Sequence, residues 1–250
     1  MIKVCIAGSS GKMGKAIAES VLSSSGIEIG ALLERADSSD IGKVIHGHRV
    51  SADIKRAAAS CNCLIDFTAP AATLEHLSVF EGAAVIGTTG FTGPQADQIR
   101  KYAGKFPVVF APNMSKGVNL FFSLVRQASE KLKDYDIEVV EAHHNKKKDS
   151  PSGTALKLVE EIKSVRQLRD VYGRQGMLGE RKKDEIGIHS VRAGDIVGEH
   201  SVLFAGPGEC FELSHRAYSR SCFAEGAVEA ALWLEGRKPG IYGMGEVLGL

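Results

Sequence analysis

The fifteen residues EAHHNKKKDSPSGTA, Glu141 to Ala155, bring two adjacent histidines, three adjacent lysines and a Pro-Ser-Gly-Thr turn into one short segment. Histidine, with an unperturbed pKa of ~6.5, suits proton transfer near neutrality. Lysine ammonium groups, and backbone N–H groups at the start of a helix, suit an anion. The chemistry to expect is proton transfer on a small, negatively charged molecule.

The elements around the segment must aim those groups. DIEVVEAHH alternates as a strand, which puts Ile137, Val139, Glu141 and His143 on one face and Glu138, Val140, Ala142 and His144 on the other. The two histidines then point apart and take different roles. A shared metal is not expected, since adjacent strand residues rarely converge on one ion and no cysteine joins them. Asp149 or Ser150 is expected to cap the helix TALKLVEEIKSV, so that Pro151 to Thr154 present N–H groups and a hydroxyl at its positive end. Of Lys146, Lys147 and Lys148, two are expected to be solvated charge.

The first half supplies a different site. IKVCIAG is a β-rich apolar run ending at Gly8, and SSGKMGKAIAESVLSS has helical spacing through Met13, Ile17 and Val21. Gly8, Gly11 and Gly14 form a G-x-x-G-x-x-G turn of the dinucleotide-binding type, which lets backbone N–H groups approach a pyrophosphate. A second strand, IEIGALLER, ends at Glu34, placed about 20 residues on, where an acid holds adenosine ribose hydroxyls. Arg35 beside it could meet a 2′-phosphate, so NADH and NADPH both remain open. An ATP-binding P-loop is rejected: Ser9 stands where that motif needs Gly, and Ala16 where a hydroxyl should reach Mg²⁺.

The alternation continues through NCLIDFT, a helix near Ala71 to Phe80, AAVIGTTG, a helix near Pro94 to Tyr102, and FPVVFAPN, predicting a mostly parallel sheet. Ligands to such sheets sit at the carboxyl ends of the strands. There the sequence places Asp66-Phe67-Thr68, Gly87-Thr88-Thr89-Gly90 and Ala111-Pro112-Asn113-Met114. After a helix whose apolar face is Val118, Phe121, Phe122 and Val125, the segment from Glu185 reads as strands broken at Ala193-Gly194-Asp195 and Gly206-Pro207-Gly208, expected to form an antiparallel sheet. A last helix, with Ala224, Val228 and Leu232 on one face, could return to the first sheet.

The 250 residues carry a net charge of +1, with 44% hydrophobic and 24% charged residues. That is an ordinary globular composition without the basic excess of a nucleic-acid binder. No apolar run approaches the ~20 residues of a membrane span, and MIKVCIAG lacks the features of a signal peptide, so a cytoplasmic protein is expected. Five scattered cysteines without a C-x-x-C pair indicate neither disulfides nor a zinc site.

Taken in order, GKMG, DFT, GTTGF, APNMSKGVN, EAHHNKKKDSPSGTA, RAGDIVGEHSV and SHRAYSR resemble the bacterial 4-hydroxy-tetrahydrodipicolinate (dihydrodipicolinate) reductase family over nearly the whole chain. The resemblance implies an α/β fold: a Rossmann-like dinucleotide-binding domain over residues 1–115, completed by 220–250, and an inserted mixed α/β domain, 116–219, that binds substrate and builds a homotetramer. It implies reduction of a small cyclic dicarboxylate by NADH or NADPH, with loss of water, in diaminopimelate and lysine biosynthesis. By motif position, His143 is implied as proton donor and acceptor, Lys147 as proton donor, His144 as a substrate contact, and Gly153 with Thr154 as the carboxylate cradle. Cofactor contacts are implied at Gly8, Ser9, Ser10, Gly11, Lys12, Met13, Glu34, Arg35, Gly87, Thr88, Thr89, Ala111, Pro112, Asn113 and Met114, with no metal, nucleic acid or membrane involved. The competing readings are another two-domain dehydrogenase, acting on an amino acid or a semialdehyde, and a dinucleotide sensor without turnover.

Overall fold

A computed structural model describes residues 1–250 and divides them into two units, Met1–Lys116 with Arg220–Leu250, and Gly117–Ser219. In the first unit, the chain runs β1 (Ile2–Ala7), α1 (Lys12–Leu22), β2 (Ile27–Leu33), β3 (Val44–Ile45), β4 (His48–Ser51), α2 (Ile54–Ser60), β5 (Cys63–Asp66), α3 (Pro70–Val79), β6 (Ala83–Ile86), α4 (Gly93–Ala103) and β7 (Pro107–Phe110). It is completed by α7 (Ser221–Trp233), β13 (Gly240–Tyr242) and α8 (Met244–Leu248). The strands form one sheet in the order β13-β7-β6-β5-β1-β2-β4-β3, parallel throughout except for the β3–β4 hairpin.

Alternation along β1 explains why helices cover both faces of this sheet. Val4 and Ile6 enter a core with Ile17 and Val21 of α1 and Ala224 and Val228 of α7. Cys5 and Ala7 enter another with Ala57 of α2, Leu77 of α3 and Ile99 of α4. Burial on both faces is what a parallel sheet requires. The short β3, β4, β13, α2 and α8 carry too few residues for a periodic signal, and sequence reading passes over them. None of the helices is long and apolar enough to cross a membrane.

The second unit contains α5 (Lys116–Lys131, in this unit from Gly117 on), β8 (Asp136–His143), α6 (Gly153–Lys163), β9 (Arg169–Tyr172), β10 (Glu185–Arg192), β11 (Gly198–Gly206) and β12 (Glu209–Ala217). Its sheet order is β12-β11-β8-β10-β9. The expectation of a purely antiparallel sheet after Glu185 is corrected: β10 runs parallel to both β8 and β9, while β11 is antiparallel to β8 and β12. The breaks at Ala193 and Gly206 are real, but β8 lies between β10 and β11, so those consecutive strands never pair. Alternation identifies a strand and its buried face, not its neighbour. The apolar sets Ile137 and Val139, Ile186 and Ile188, Val202 and Phe204 meet under α5 and α6 and fix that order.

Helix α7 packs on the backbone of the β7 exit. A Cβ on Gly226 would lie 1.7 Å from the carbonyl oxygen of Met114, an atom that cannot rotate away. Gly226→Ala is therefore expected to destabilise the protein by about 1–3 kcal/mol, the range for overpacking, read as a lower melting temperature; an unchanged temperature would show that the helix can shift at no cost.

Candidate active site

On the strand face that reads Ile137, Val139, Glu141, His143, the first two residues are core and the last two are polar. The strand thus delivers a carboxylate and an imidazole on one face. Glu141 is 1% exposed, yet the carboxylate is fully engaged. Arg192 of β10 donates through Nη1 to Oε2 at 2.8 Å and through Nη2 to Oε1 at 2.7 Å. The Ser152 backbone N–H donates to Oε1 at 3.1 Å, and His143 Nδ1 lies 2.6 Å from Oε2. Burial alone would raise the carboxyl pKa, but the hydrogen bonds from Arg192 and His143 override it and bring it down to about 2.

An ionised Glu141 fixes the tautomer of His143, with Nδ1–H donating and Nε2 carrying the lone pair. Nε2 faces the side-chain-free space at Gly198, where a Cβ would stand 3.1 Å away. Burial lowers the His143 pKa, Glu141 opposes this, and Lys147 and Arg192 lower it further; the net shift is downward. His144 lies just past the strand and accepts the Lys147 backbone N–H at 3.1 Å; its Nδ1 is buried without a partner.

Helix α6 supplies the opposite wall. Its cap is Ser152, which accepts from the Ala155 N–H at 3.2 Å, and not Asp149 or Ser150. The correction follows from where the chain enters the helix: Ser152 is extended and Gly153 and Thr154 form the first turn, so only the Ser152 hydroxyl reaches N3. The same hydroxyl is 3.0 Å from Nε2 of His200, a 5% exposed residue of β11 paired with Glu141 across the sheet. Burial, with His143 nearby, pushes the His200 pKa down to about 3, so the ring is neutral. Lys147 is half-buried and pairs with Asp149 at 2.8 Å, while Lys146 and Lys148 are exposed. Sequence reasoning thus assigned no role to Glu141, Arg192 or His200, and gave Ser152 only an N–H at the helix start, not the cap. Glu141 alone had a signal, its shared face with His143; the others enter through strand pairing and loop closure.

Glu141, His143 and His200 bring ligand-type atoms within 4.8 Å of one another. The carboxylate's oxygens are already taken by Arg192, His143 and Ser152, and a guanidinium occupies the place where a cation would gain most. Glu141 and His143 share a hydrogen bond, His200 is tied to them through Ser152, and the cation on the carboxylate is the Arg192 guanidinium.

In the first unit, the remaining candidates lie at the carboxyl ends of β1, β2, β6 and β7. Gly8 has φ +72, and a Cβ on Gly14 would stand 2.2 Å from the Gly8 carbonyl, so both glycines are needed for the turn. The turn is tied to Glu34 by the Ser10 N–H, 3.0 Å from Oε2. The hydroxyl of Ser9 is buried with no partner, which fits a turn built to receive further polar groups from a dinucleotide. Gly11 and Lys12 are exposed, and Met13 is half-buried. Arg35 is exposed and pairs with Asp37 at 3.0 Å. Gly87 lies over the Phe67 ring, whose atoms a Cβ would meet at 2.2 Å. Thr88 is buried, and its hydroxyl donates to Asp66 Oδ1 at 3.1 Å; Thr89 is exposed. Ala111 and Met114 are packed in the core, Pro112 is exposed, and Asn113 Oδ1 accepts the Ser115 N–H at 2.9 Å.

Asp66, expected with Phe67 and Thr68 to line the crevice at a strand end, is wholly buried and organises this edge from beneath. Its Oδ1 accepts from the Thr68 N–H and from the hydroxyls of Thr68 at 2.6 Å and Thr73 at 3.1 Å, and Oδ2 is 2.7 Å from His76 Nδ1. Burial opposes ionisation, yet His76 and Thr68 hold the pKa below the usual carboxylate value.

Comparison with known proteins places these residues in context. Residues 2–114 match the family model described as dihydrodipicolinate reductase, N-terminus, and residues 117–248 match dihydrodipicolinate reductase, C-terminus. The chain is 47% identical to a 4-hydroxy-tetrahydrodipicolinate reductase of Hahella chejuensis and 44% identical to one of Syntrophobacter fumaroxidans, each over the full length of both chains. Among solved structures, a dipicolinate-bound dihydrodipicolinate reductase from Paenisporosarcina sp. TG-14 matches with a TM-score of 0.81 at 29% identity, covering 97% of each chain.

The buried neutral His200 makes stability pH-dependent. With a pKa near 6.5 unfolded and about 3 folded, the unfolded state binds more protons between these values, so stability is complete above ~6.5 and is lost as pH falls toward 3. The limiting slope is about 1.4 kcal/mol per pH unit. Denaturant unfolding at pH 7 and pH 5 should show this loss, and His200→Gln should reduce it; an equal loss in the variant would assign the dependence to other groups.

Proposed function

We infer the reaction from the premise that the chain belongs to the dihydrodipicolinate reductase family. It is an NAD(P)H-dependent oxidoreductase that converts cyclic 4-hydroxy-tetrahydrodipicolinate to tetrahydrodipicolinate with loss of water, in diaminopimelate and lysine biosynthesis. One hydride and one proton enter and one water leaves. A dipicolinate-bound relative supports a cyclic dicarboxylate as the substrate.

The observation that carries the residue assignments is the Glu141-oriented imidazole of His143 in the same loop-and-strand group as Lys147 and the start of α6. In this reading His143 exchanges a proton through Nε2. Lys147 releases Asp149, neutralises a substrate carboxylate and donates a proton as charge develops. His144 contacts the substrate. Gly153 and Thr154 offer first-turn N–H groups, with the Thr154 hydroxyl, to a carboxylate at the positive end of α6.

The first unit is proposed as the dinucleotide-binding domain. Gly8 to Met13 would cradle the pyrophosphate and Glu34 the ribose, with Arg35 at a 2′-phosphate; Gly87 to Thr89 and Ala111 to Met114 complete the crevice edge. When bound, the reduced nicotinamide supplies the hydride. The second unit is proposed to bind substrate and to assemble a cytoplasmic homotetramer, for which the exposed Leu120, Leu124 and Phe211 offer apolar surface.

An acylating semialdehyde enzyme would need an activated thiol. Burial instead pushes the Cys63 thiol up to about 12, and Cys5, Cys61 and Cys222 are also raised, chiefly by burial.

Two outcomes test the reading. Purified protein should consume NADH or NADPH, followed at the nicotinamide absorbance, only when freshly made cyclic substrate is supplied; folded protein inactive with both cofactors would exclude the enzyme. Lys147→Ala should lower kcat by about 10²–10⁴, and Lys146→Ala and Lys148→Ala far less. Equal losses would mean that the wrong ammonium has been assigned.

A further inference from the structure

We propose that Arg192 is a positioning residue for the reaction: by holding both oxygens of Glu141 together with the Asp149 carbonyl, it sets the His143 ring and anchors the loop that carries Lys147. The inference rests on the reductase reading above and adds to it a role for Arg192, the first residue of the RAGDIVGEHSV stretch, to which the resemblance attaches none.

The geometry joins the two proposed proton-transfer groups through one side chain. Arg192 lies in register with His143 on the neighbouring parallel strand. Its guanidinium reaches past His143 to take Glu141 in a two-point contact, and Nη2 also donates to the Asp149 carbonyl at 2.8 Å. Asp149 is the residue whose carboxylate pairs with Lys147. The loop is closed at its other end by the Ser152 N–H on the same Glu141 carboxylate, and by the Asn145 N–H on the Gly194 carbonyl at 3.1 Å. A guanidinium can span these acceptors because it is planar and presents several donors at fixed angles; an ammonium at the same place is a single point charge.

The charge matters as well as the reach. The groups facing His143 are Glu141 on its own strand, Lys147 and Asp149 from the following loop, Arg192 from β10, and His200 from β11, with His215 of β12 beyond it. Glu141 favours the protonated ring, and Arg192 opposes it. With Arg192 gone, Glu141 can keep its charge only with His143 as its nearby cation. The ring would then hold its proton to higher pH, and the lone pair on Nε2 would be lost over part of the working range.

The test compares wild type, Arg192→Gln and Arg192→Lys by kcat and KM across pH, with circular dichroism confirming the fold. Wild-type turnover must come first, since its absence would defeat the reductase reading and leave nothing for Arg192 to position. Given turnover, Arg192→Gln should lose about tenfold or more in kcat, a part of the ~10²–10⁴ that a positioned proton-transfer group contributes, with KM for the reduced dinucleotide unchanged and the acid limb of the profile moved to higher pH. Arg192→Lys should recover the position of the limb and part of kcat. Should the glutamine variant fail to fold, ring NMR of His143 in Arg192→Lys decides: the Nδ1–H tautomer is retained and kcat falls partway. A folded Arg192→Gln whose acid limb stays in place, or an Arg192→Lys with wild-type kcat, would overturn the proposal.

Discussion

The second unit is organised around the cost of burying one negative charge. An ionised carboxylate removed from water must be matched by donors or it protonates instead. Glu141 meets this requirement from three separate stretches of chain: Arg192 on a neighbouring strand, Ser152 before a helix, and His143 two residues along its own strand. Satisfying the charge therefore fixes the strand, the loop after it and the helix relative to one another. The imidazole orientation, the position of the lysine-bearing loop and the placement of the α6 N-terminus follow from the same set of bonds. Removing one partner from such a buried pair typically costs about 3–5 kcal/mol, which is why the arrangement holds as a unit.

The first unit uses the same device at its own strand ends. Asp66 closes β5, and its carboxylate gathers Thr68 just beyond it, Thr73 and His76 from α3, and Thr88 from the turn after β6. The Gly87 N–H is drawn onto the Asp66 carbonyl at 2.9 Å. Two crevice turns are thus held by one acid, while Glu34 holds the glycine turn through Ser10. Loops that would be mobile as isolated turns are tied to the rigid sheet by hydrogen bonds to groups that the sheet itself buries.

Much of this was legible in the amino-acid order, and the boundary between what was and was not is physical. Period-2 and helical spacing report which face is buried, so β1, α1, β5 to β7, α5 and β8 could be placed from residue types alone. Alternation also put Glu141 beside His143. It could not say that a carboxylate would stay ionised there, because the decisive cation is 51 residues away and arrives only through parallel pairing of β10 with β8. The antiparallel expectation failed for the same reason: partner choice depends on which apolar faces match in three dimensions. The cap of α6 was misplaced because several hydroxyl and carboxylate residues precede the helix, and only the backbone path decides which one reaches the open N–H.

On the proposed assignment of Lys147 to a substrate carboxylate, its pairing with Asp149 has a bearing on selectivity. The ammonium is already neutralised, so an arriving monoacid would merely trade one anion for another, a swap with little driving force and one that sets the tethered aspartate loose. A ligand carrying a second acid group at the proper spacing gains an additional site at the first turn of the neighbouring helix. The internal counter-ion then favours a two-acid ligand over a singly charged look-alike, because only the former gains a second contact in exchange for the one it displaces.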